Sequence, residues 1–452
     1  MAVLPSNWYL YGPGITRIAV TGFKSLATKA DVEIRPLTVL AGANSSGKSS
    51  LMQPLLLMKQ TFDNERIPPG PFWLSGELAE YTSTDQFLTN SPTEIDAPKQ
   101  LTVELEAEGN WVELSFEKKS DSTLAVVGTA SREAGERKKW ELNRDTSSEV
   151  LEEILSSVSG RTANEPLSQH TELLPGPDRC LLGVAVRFAD DPIIPIFHRP
   201  EVLRLRNKVQ DILYVSGLRG TYDREFYLHG LPSAGPFPGD FEDYVPSILE
   251  AWKNDSTQTG LGYESLNAVR EALQLLELAS DVQTRKLNES QIEVRVPRTL
   301  KGDSKDLVNI ADVGLAVEQI LSSLVALTLA HPNQLVYIEQ PELHLHPRAQ
   351  WKLARILAQA SNRGVRLVIE THSSLLLRGI LTEIAENRIA NDKVILHWFE
   401  RDEETGLTTI RPKVPDSAGR VGDWPEDFSD VELKSDNQYL DAVEKKLYTE
   451  AE

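Results

Sequence analysis

Short apolar runs alternate with amphipathic segments along the C-terminal third of the chain. The apolar runs predict strands and the amphipathic segments predict helices, because side chains repeat every two residues in a strand and about every 3.6 residues in a helix. The predicted strands are 335–339, 365–370 and 394–399, and the predicted helices run from 347 to about 360 and from 373 to about 386. This alternation is typical of a largely parallel sheet covered by helices.

After the N-terminal region, apolar and polar positions alternate in a pattern typical of strands. Residues 101–143 alternate apolar and polar positions in short runs, which predicts an antiparallel β layer. Residues 146–178 are rich in Ser, Glu, Pro and Gly and show helical spacing only at 150–158, so we expect a flexible or surface segment there. Further strands are predicted at 15–20, 32–34, 37–41 and 183–188.

Three central segments, 201–212, 241–252 and 263–278, carry apolar residues at helical spacing and predict an inserted helical section. None of them keeps a heptad pattern over three or four turns. A long coiled-coil arm is therefore not expected.

The phosphate-binding pattern GxxxxGK[ST] occupies residues 42–49, directly after the predicted strand 37–41. In such a loop the backbone N–H groups surround the phosphates, the lysine reaches the β and γ phosphates, and the hydroxyl binds Mg²⁺. The apolar run that follows predicts a helix whose N-terminus favours anions, although Pro54 should kink it. We predict a site for ATP and Mg²⁺. The predicted contact residues are Asn44, Ser45, Ser46, Gly47, Lys48, Ser49 and Ser50.

Composition narrows the choice of partners. The chain has 452 residues, 40% of them hydrophobic, with 47 Lys and Arg against 67 Asp and Glu and a formal charge of −20. This charge argues against nucleic-acid binding through a broad basic face, because Lys and Arg must neutralise the phosphates, but it leaves a local basic groove open. Cys180 is the single cysteine, so no intramolecular disulfide is expected. Without a leader pattern or an apolar stretch of about 18 residues, we expect a cytoplasmic protein with no membrane partner.

Polar groups follow two of the predicted parallel strands, at the edge where the carboxyl ends of such strands meet. Glu339 ends the strand 335–339 and is the candidate acid for Mg²⁺. His372 follows the strand 365–370, and we expect it at the same edge as Lys48, in reach of a γ-phosphate. A purely structural histidine is the alternative. Farther back, Asp312 is expected to cap an apolar helix over 313–329.

Five motifs in this order resemble the ABC-like ATPases of the overcoming-lysogenisation-defect (OLD) type. Related heads occur in the Gabija, Septu and PARIS anti-phage systems and, more distantly, in RecF and SMC proteins. The motifs lie at 22–25 (Gly-Phe-Lys-Ser), 42–49, 312–319, 338–347 and 370–373, and 423–428 resembles the closing element of the family. The resemblance implies an α/β ABC-type ATPase head with a mixed or parallel sheet, an attached antiparallel β layer and an inserted helical section.

The resemblance also implies roles for individual residues. Lys48 and Ser49 match the Walker A positions. Glu339 matches the Walker B acid, which binds Mg²⁺ together with Ser49, and His372 matches the switch histidine. For the Q-loop glutamine near the metal, Gln86 is the candidate. Gln60 is the alternative. The family also has a stretch with a Leu-Arg pair followed by a second Arg, which resembles Leu218, Arg219 and Arg224 of this chain. No chemistry can be assigned to this stretch.

The segment with Gly314 and Glu318 resembles the signature, which in this family meets the ATP of a second head. A homodimer or higher oligomer through the heads is therefore implied. Many signatures have a small hydroxyl residue where Glu318 lies and a second glycine where Ala316 lies. A carboxylate at position 318 would repel a γ-phosphate.

A second departure from the family pattern concerns the general base of ATP hydrolysis. Many such heads have a glutamate directly after the Walker B acid, where this chain has Gln340, which cannot accept a proton from water. A general base contributes about 10²–10⁴ in rate, so slow hydrolysis is expected unless Glu342 substitutes as a catalytic residue. His344 and His346 stand two residues apart without an obvious third ligand, which favours a structural turn over a metal site.

The predicted division of the chain assigns 1–100 and 305–400 to the two halves of the head, 101–190 to the β layer with the flexible segment, 191–304 to the inserted helices and 401–452 to a C-terminal β element with an acidic tail. OLD nucleases carry a Toprim domain after the head, and too little sequence follows His372 for one. The leading hypothesis is an ATPase subunit that controls a separate effector, a nuclease, in anti-phage defence. The alternatives are a RecF- or SMC-like DNA-repair ATPase and a scaffold whose ATP is structural.

Overall fold

The computed structural model describes residues 14–64, 70–89, 100–107, 109–119, 123–159, 171–188, 196–217, 223–232, 235–254, 261–300, 306–422 and 438–441. The strands are β1 (Arg17–Thr21), β2 (Ala30–Glu33), β3 (Leu37–Gly42), β4 (Gln100–Ala107), β5 (Asn110–Lys118), β6 (Leu124–Arg132), β7 (Trp140–Asn143), β8 (Thr171–Asp178), β9 (Leu181–Phe188), β10 (Ile196–Phe197), β11 (Leu213–Val215), β12 (Phe226–Tyr227), β13 (Gln283–Lys286), β14 (Gln291–Pro297), β15 (Leu307–Asn309), β16 (Leu335–Glu339), β17 (Arg366–Thr371), β18 (Val394–Arg401) and β19 (Thr408–Lys413). The α-helices are α1 (Lys48–Asp63), α2 (Ser148–Ser159), α3 (Pro200–Gln210), α4 (Val245–Asn254), α5 (Leu261–Leu275), α6 (Leu315–Leu329), α7 (Pro347–Asn362) and α8 (Ser374–Ala385). Short 3₁₀ helices cover Thr84–Gln86, Phe241–Tyr244, Ile310–Asp312 and Asn391–Lys393.

The central sheet has the strand order β11–β16–β17–β3–β18–β19. The first five strands are parallel, and β19 is antiparallel to β18. The predicted parallel sheet is thus confirmed. Because β3 lies between β17 and β18, strands from both ends of the chain form one sheet, and their carboxyl ends meet at one edge.

Strand β3 is buried along its whole length. Its side chains alternate between two core clusters, as the period of a strand requires. Leu40 packs in the cluster that contains α1 and the β layer, whereas Val39 packs in the cluster that contains α6, α7 and α8. This two-sided burial fixes the position of the loop that leaves β3.

The predicted antiparallel β layer is confirmed by a second sheet with the order β2–β1–β4–β5–β6–β7, and a third sheet has the order β10–β9–β8. Of the segment expected to be flexible or at the surface, Thr171–Asp178 are not flexible, because these residues form β8 and pair with β9 along its whole length. β8 is an edge strand, which tolerates Pro175 and Pro177 because one side needs no N–H donors. The helical spacing at 150–158 corresponds to α2, and 160–170 lie outside the described residues.

The predicted central helices are confirmed as α3, α4 and α5. The expectation that Asp312 caps the following helix was wrong, because α6 begins at Leu315 and its N-cap is Gly314, which offers no side chain. Asp312 instead ends a 3₁₀ helix and forms a bidentate ion pair with Arg224. The carboxylate is therefore bound by a residue 88 positions away in the sequence and does not cap the helix.

Helix α1 continues through Pro54 as a single helix. None of the described helices combines the length and apolarity needed to cross a membrane. Residues 218 and 219 of the Leu-Arg stretch and the closing element 423–428 lie outside the described residues.

Candidate nucleotide and metal site

The loop between β3 and α1 has the backbone of a phosphate cradle. Gly42, Ser45 and Gly47 all have positive φ, at 148°, 61° and 97°. A side chain at Gly47 would also collide with its neighbours, because an ideal Cβ would lie 2.5 Å from the hydroxyl oxygen of Thr408 and 2.8 Å from that of Ser25. Glycine is therefore required at this position both by conformation and by space.

The amino group of Lys48 lies inside this loop. It donates hydrogen bonds to the carbonyl oxygens of Gly42 at 3.2 Å and Ala43 at 2.7 Å, and the residue is 3% exposed. Burial lowers the pKa of Lys48, while the carboxylates of Glu370 and Glu342 raise it. The ammonium also lies 3.4 Å from the Ser46 hydroxyl. Its partners at hydrogen-bond distance are thus neutral oxygens, which it is well placed to exchange for phosphate oxygens, because these are stronger acceptors.

A pair of carboxylates lies next to Ser49. The Ser49 hydroxyl donates to Oε1 of Glu370 at 3.0 Å, and the Tyr337 hydroxyl lies 2.8 Å from Oε1 of Glu339 and 3.0 Å from Oε2 of Glu370. Glu339 and Glu370 are neighbours because they pair in the parallel register of β16 and β17. Burial, and then the charge of Glu339, raise the pKa of Glu370 to about 7. A hydroxyl with two close carboxylates is a set of hard oxygen donors, which fits Mg²⁺.

The turn after β17 carries His372 and is held by Glu342. Oε1 of Glu342 accepts hydrogen bonds from the Thr371 hydroxyl at 2.6 Å and from the backbone N–H of His372 at 3.0 Å. Burial raises the pKa of Glu342, and burial followed by the charge of Lys48 lowers the pKa of His372. The imidazole is therefore neutral at pH 7 and offers one donor and one acceptor.

A cavity of about 720 Å³ joins these groups, a size typical of a site for a small ligand. Of the predicted contact residues, Asn44, Ser45, Gly47, Lys48, Ser49 and Ser50 line it, as does His372, while Ser46 is buried behind the loop. Gln340 also lines it, and its backbone N–H donates to the carbonyl of Glu370 at 2.8 Å. Glu342 and Glu339 are not among the lining residues.

The cavity is also lined by residues to which sequence reasoning gave no role, among them Lys24, Gln53, Glu370 and Arg401. The Lys24 ammonium donates to Oε1 of Gln53 at 2.7 Å, and the Tyr81 hydroxyl approaches the same oxygen at 3.0 Å. The position of Gln53 was available from the sequence, since it lies one helical turn after Ser49 on α1. Arg401 and Glu370 depend on the strand order of the sheet, which the sequence does not contain.

The two Q-loop candidates differ in position. Gln86 lines the cavity, but its side-chain amide is bonded to Thr82, accepting from the backbone N–H at 2.8 Å and donating to the hydroxyl at 2.9 Å. Gln60 is buried away from the cavity, where it donates to the carbonyls of Ala79 and Trp73. Gln86 therefore remains the candidate of the two, and a metal role for it would require those two bonds to open.

The remaining candidates lie elsewhere. Gly314 is the N-cap of α6 and Glu318 lies in its first turn, and neither lines this cavity. Glu318 instead borders a separate groove with Glu242 and Asp243. His346 caps α7 by accepting from the N–H of Arg348 at 3.3 Å. Among the residues that the structure describes, no group of three or more His, Cys, Asp or Glu side chains has the arrangement of a metal cluster.

The fold and this cavity define an ABC-like P-loop ATPase, for which ATP with Mg²⁺ is the expected ligand. Residues 85–378 match the family described as "AAA domain, putative AbiEii toxin, Type IV TA system", and the chain belongs to this family. The matched region starts after the phosphate loop, so that loop is established by its own sequence and geometry. Among curated proteins, no sequence matches the chain.

Three solved structures are similar to the chain. The crystal structure of the SmcHead bound to the C-winged helix domain of ScpA is 12% identical, covers 90% of this chain and 99% of its own, and has a TM-score of 0.47. The Smc head domain with an extended coiled coil bound to the C-terminal domain of ScpA, derived from Pyrococcus furiosus, is 11% identical with 96% and 100% coverage and a TM-score of 0.46. The SMC head domain from Thermotoga maritima is 10% identical with 88% and 98% coverage and a TM-score of 0.37.

Proposed function

We propose that the chain is an ATP-binding, slowly hydrolysing ABC-like ATPase subunit whose heads associate and which controls a separate effector, a nuclease, in anti-phage defence. The observation that carries the nucleotide part is the single cavity shared by Lys48, Ser49, Glu370 and His372. A cation inside a glycine-bounded loop, a hydroxyl next to a carboxylate and a neutral imidazole together match the charge of a triphosphate with its divalent ion.

Slow hydrolysis is supported by Gln340. This amide lines the cavity directly after the last residue of β16, at the position where many such heads carry a glutamate. An amide orients water but does not take up its proton, so the proposal assigns Gln340 to positioning. The loss of a general base lowers the rate by about 10²–10⁴. Slow turnover suits a switch that holds one state for a long time.

Association of heads is supported by the separation between the signature and the cavity of the same chain. Gly314 caps α6, and among the described residues other than its two chain neighbours no atom lies within 4 Å of the position that its Cβ would occupy. An uncovered helix N-terminus carries unsatisfied N–H groups that favour an anion. In the proposed dimer, this terminus meets the nucleotide of the second head, and Glu318 weakens that contact by charge repulsion.

The defence role and the nuclease effector are supported only by the resemblance of the chain to known families. The ordered motifs resemble OLD-type heads, and the matched family is described by a toxin of a toxin–antitoxin system. Both belong to bacterial conflict systems. Because fold does not imply function, the effector needs a direct test.

The nucleotide part is tested by phosphate release and nucleotide retention in wild type, Lys48→Ala and Gln340→Glu. We expect slow release in wild type, background release in Lys48→Ala and faster release in Gln340→Glu. Retained nucleotide with release equal to the Lys48→Ala background would favour the scaffold with structural ATP. Rapid release in wild type would refute the assignment of Gln340.

The assembly part is tested by light scattering with and without ATP and by purification of the native complex with its neighbours from cells. ATP-dependent growth in mass and a co-purifying nuclease are the expected results. A monomer at all nucleotide concentrations would refute head association. Salt-dependent DNA binding by the isolated chain would favour the DNA-repair alternative instead.

A further inference from the structure

We infer that Arg401 binds the nucleotide at the end of the cavity opposite His372, where it contacts the α-phosphate. This inference rests on the proposed nucleotide function. It adds a residue that sets the affinity for the whole nucleotide and not for its γ-phosphate. Four observations on the described residues carry it: the strand order, the lining of the cavity, the partners of the guanidinium and the placement of the neighbouring acids.

The strand order separates the two ends of the cavity. β17, which His372 follows directly, lies on one side of β3, and β18, which ends at Arg401, lies on the other. Neighbouring strands lie about 4.8 Å apart, so the ends of β17 and β18 are about 10 Å from each other across the phosphate loop. In such a loop the lysine reaches the β and γ phosphates, and the backbone N–H groups hold the α and β phosphates. With His372 at the γ-phosphate, the α-phosphate lies on the side of β18.

The turn between β18 and β19 forms the wall of the cavity at this end. Arg401, Thr405, Gly406 and Leu407 line the cavity together with residues of the phosphate loop. Gly406 has a φ of 69°, and an ideal Cβ there would lie 3.4 Å from Nη2 of Arg401. The turn therefore packs closely against the guanidinium, while the arginine side chain still borders the cavity.

The guanidinium of Arg401 donates hydrogen bonds to two neutral oxygens. Nε donates to the carbonyl of Gly406 at 2.9 Å, and Nη1 donates to the carbonyl of Ser45, in the phosphate loop, at 3.4 Å. Among the described residues Arg401 has no ion pair, whereas Arg411 on β19 pairs with Glu400 at 2.9 Å. A guanidinium has five N–H donors in a planar fork that suits phosphate oxygens. Arg401 therefore keeps donors for an anion at the edge of the loop.

The acidic residues of the same turn lie outside the lining of the cavity. Asp402, Glu403 and Glu404 follow Arg401 directly, yet none of them borders the cavity. Oδ1 of Asp402 accepts hydrogen bonds from the backbone N–H and from the hydroxyl of Thr405, both at 2.7 Å. Of the four charged residues at 401–407, all of which the structure describes, Arg401 alone lines the cavity. This placement of charge favours an anion at this end of the cavity.

The test is isothermal titration calorimetry of the full chain with Mg²⁺ and either a non-hydrolysable ATP analogue or ADP. The variants are Arg401→Gln and Arg401→Lys, and the control is Arg411→Gln, which removes an exposed arginine outside the lining of the cavity. We expect Arg401→Gln to lower the affinity for both ligands by the same factor, about tenfold or more, because both carry an α-phosphate. Arg401→Lys should keep part of the affinity, since it retains the charge without the planar fork. Arg411→Gln should bind both ligands as wild type does.

Thermal unfolding without nucleotide reports whether each variant is folded, and we expect all of them to melt as wild type does, because these side chains are exposed. A loss of affinity for the ATP analogue that ADP does not share would place Arg401 at the γ-phosphate and overturn the assignment. Unchanged affinity for both ligands in Arg401→Gln, or an equal loss in Arg411→Gln, would also overturn it. In each of these cases wild type still binds, and the nucleotide function stands. A wild-type chain that binds neither ligand overturns both.

Discussion

The hydroxyl of Thr408, the first residue of β19, lies 2.8 Å from the backbone carbonyl of Ser46 and 2.7 Å from the hydroxyl of Ser25. The backbone N–H of Thr408 donates to the carbonyl of Ser25 at 2.9 Å. The phosphate loop is thus tied at its middle to the edge strand of the central sheet. Arg401, at the end of β18, reaches the same loop through the carbonyl of Ser45. A shift of this loop would therefore move the β18–β19 hairpin.

Thr408→Val tests this connection, because valine keeps the shape of threonine and removes its hydroxyl. The Ser46 carbonyl then loses a buried partner, which costs about 1–3 kcal/mol. If about 1 kcal/mol of this cost destabilises the loop conformation that binds phosphate, the affinity for ATP falls about fivefold. Fluorescence titration with a labelled nucleotide measures it. Thr409→Val, whose side chain is exposed, is the control, and equal losses in the two variants would contradict the connection.

Contiguous motifs made much of the site predictable. The phosphate loop and the strand that ends at Glu339 were predictable because each needs only local sequence. Glu370 was given no role, although it is the first residue of the motif 370–373. Its contact with Ser49 depends on β17 lying beside β3, and the sequence shows where a strand ends but not which strand is its neighbour.

Two errors in the fold have the same physical cause. Asp312 has the local pattern of an N-cap, yet the ion pair with Arg224 took its carboxylate. Pro175 and Gly176 are unfavourable in strands, yet β8 forms because β9 supplies its partners through a tight connection. In both cases a tertiary contact overrides the local propensity, as is common for weak signals.

Lys59 should be a major determinant of stability. Its ammonium is 2% exposed and donates to the carbonyls of Gln210 at 2.6 Å and Phe237 at 2.9 Å, and it pairs with Asp63 at 3.0 Å. Lys59→Met leaves the Asp63 carboxylate buried without its cation, which typically costs about 3–5 kcal/mol. Urea unfolding measures the change as a lower midpoint.

Two controls separate charge from packing at this position. The double variant Lys59→Met with Asp63→Leu removes both charges and should recover much of the loss. Arg187→Met breaks the exposed pair with Glu172 and should change stability by less than about 1 kcal/mol. Equal effects of Lys59→Met and Arg187→Met would show that burial of the ion pair is unimportant.

The stability of the metal-free protein should depend on pH through Glu370. Its pKa is raised from 4.5 to about 7, so the folded state holds a proton that the unfolded state releases above about pH 4.5. This contribution is complete below pH 4.5 and is lost as the pH rises through 7. A shift of this size corresponds to about 3 kcal/mol at most.

Glu370→Gln carries no titratable group, so its melting temperature in EDTA should lack this loss. Thermal unfolding of both proteins from pH 4.5 to 8 measures the difference, with wild type falling relative to the variant as the pH rises. Glu289→Gln, which removes an exposed carboxylate, should follow wild type. Parallel curves for wild type and Glu370→Gln would mean that the pKa of Glu370 is not raised in the folded protein.

Glu342 is predicted to position His372 and not to act as the substitute base. Its Oε1 accepts hydrogen bonds from the Thr371 hydroxyl and the His372 N–H. The Glu342 side chain is buried and does not line the cavity. Glu342→Gln keeps a carbonyl oxygen for both bonds but cannot take a proton, whereas Glu342→Ala removes both bonds. ATP turnover should therefore survive in Glu342→Gln within about threefold and fall about tenfold or more in Glu342→Ala, with nucleotide affinity little changed in either. If Glu342→Gln is as inactive as Glu342→Ala while both still bind nucleotide, the carboxylate itself is needed, which is the behaviour of a general base worth about 10²–10⁴ in rate.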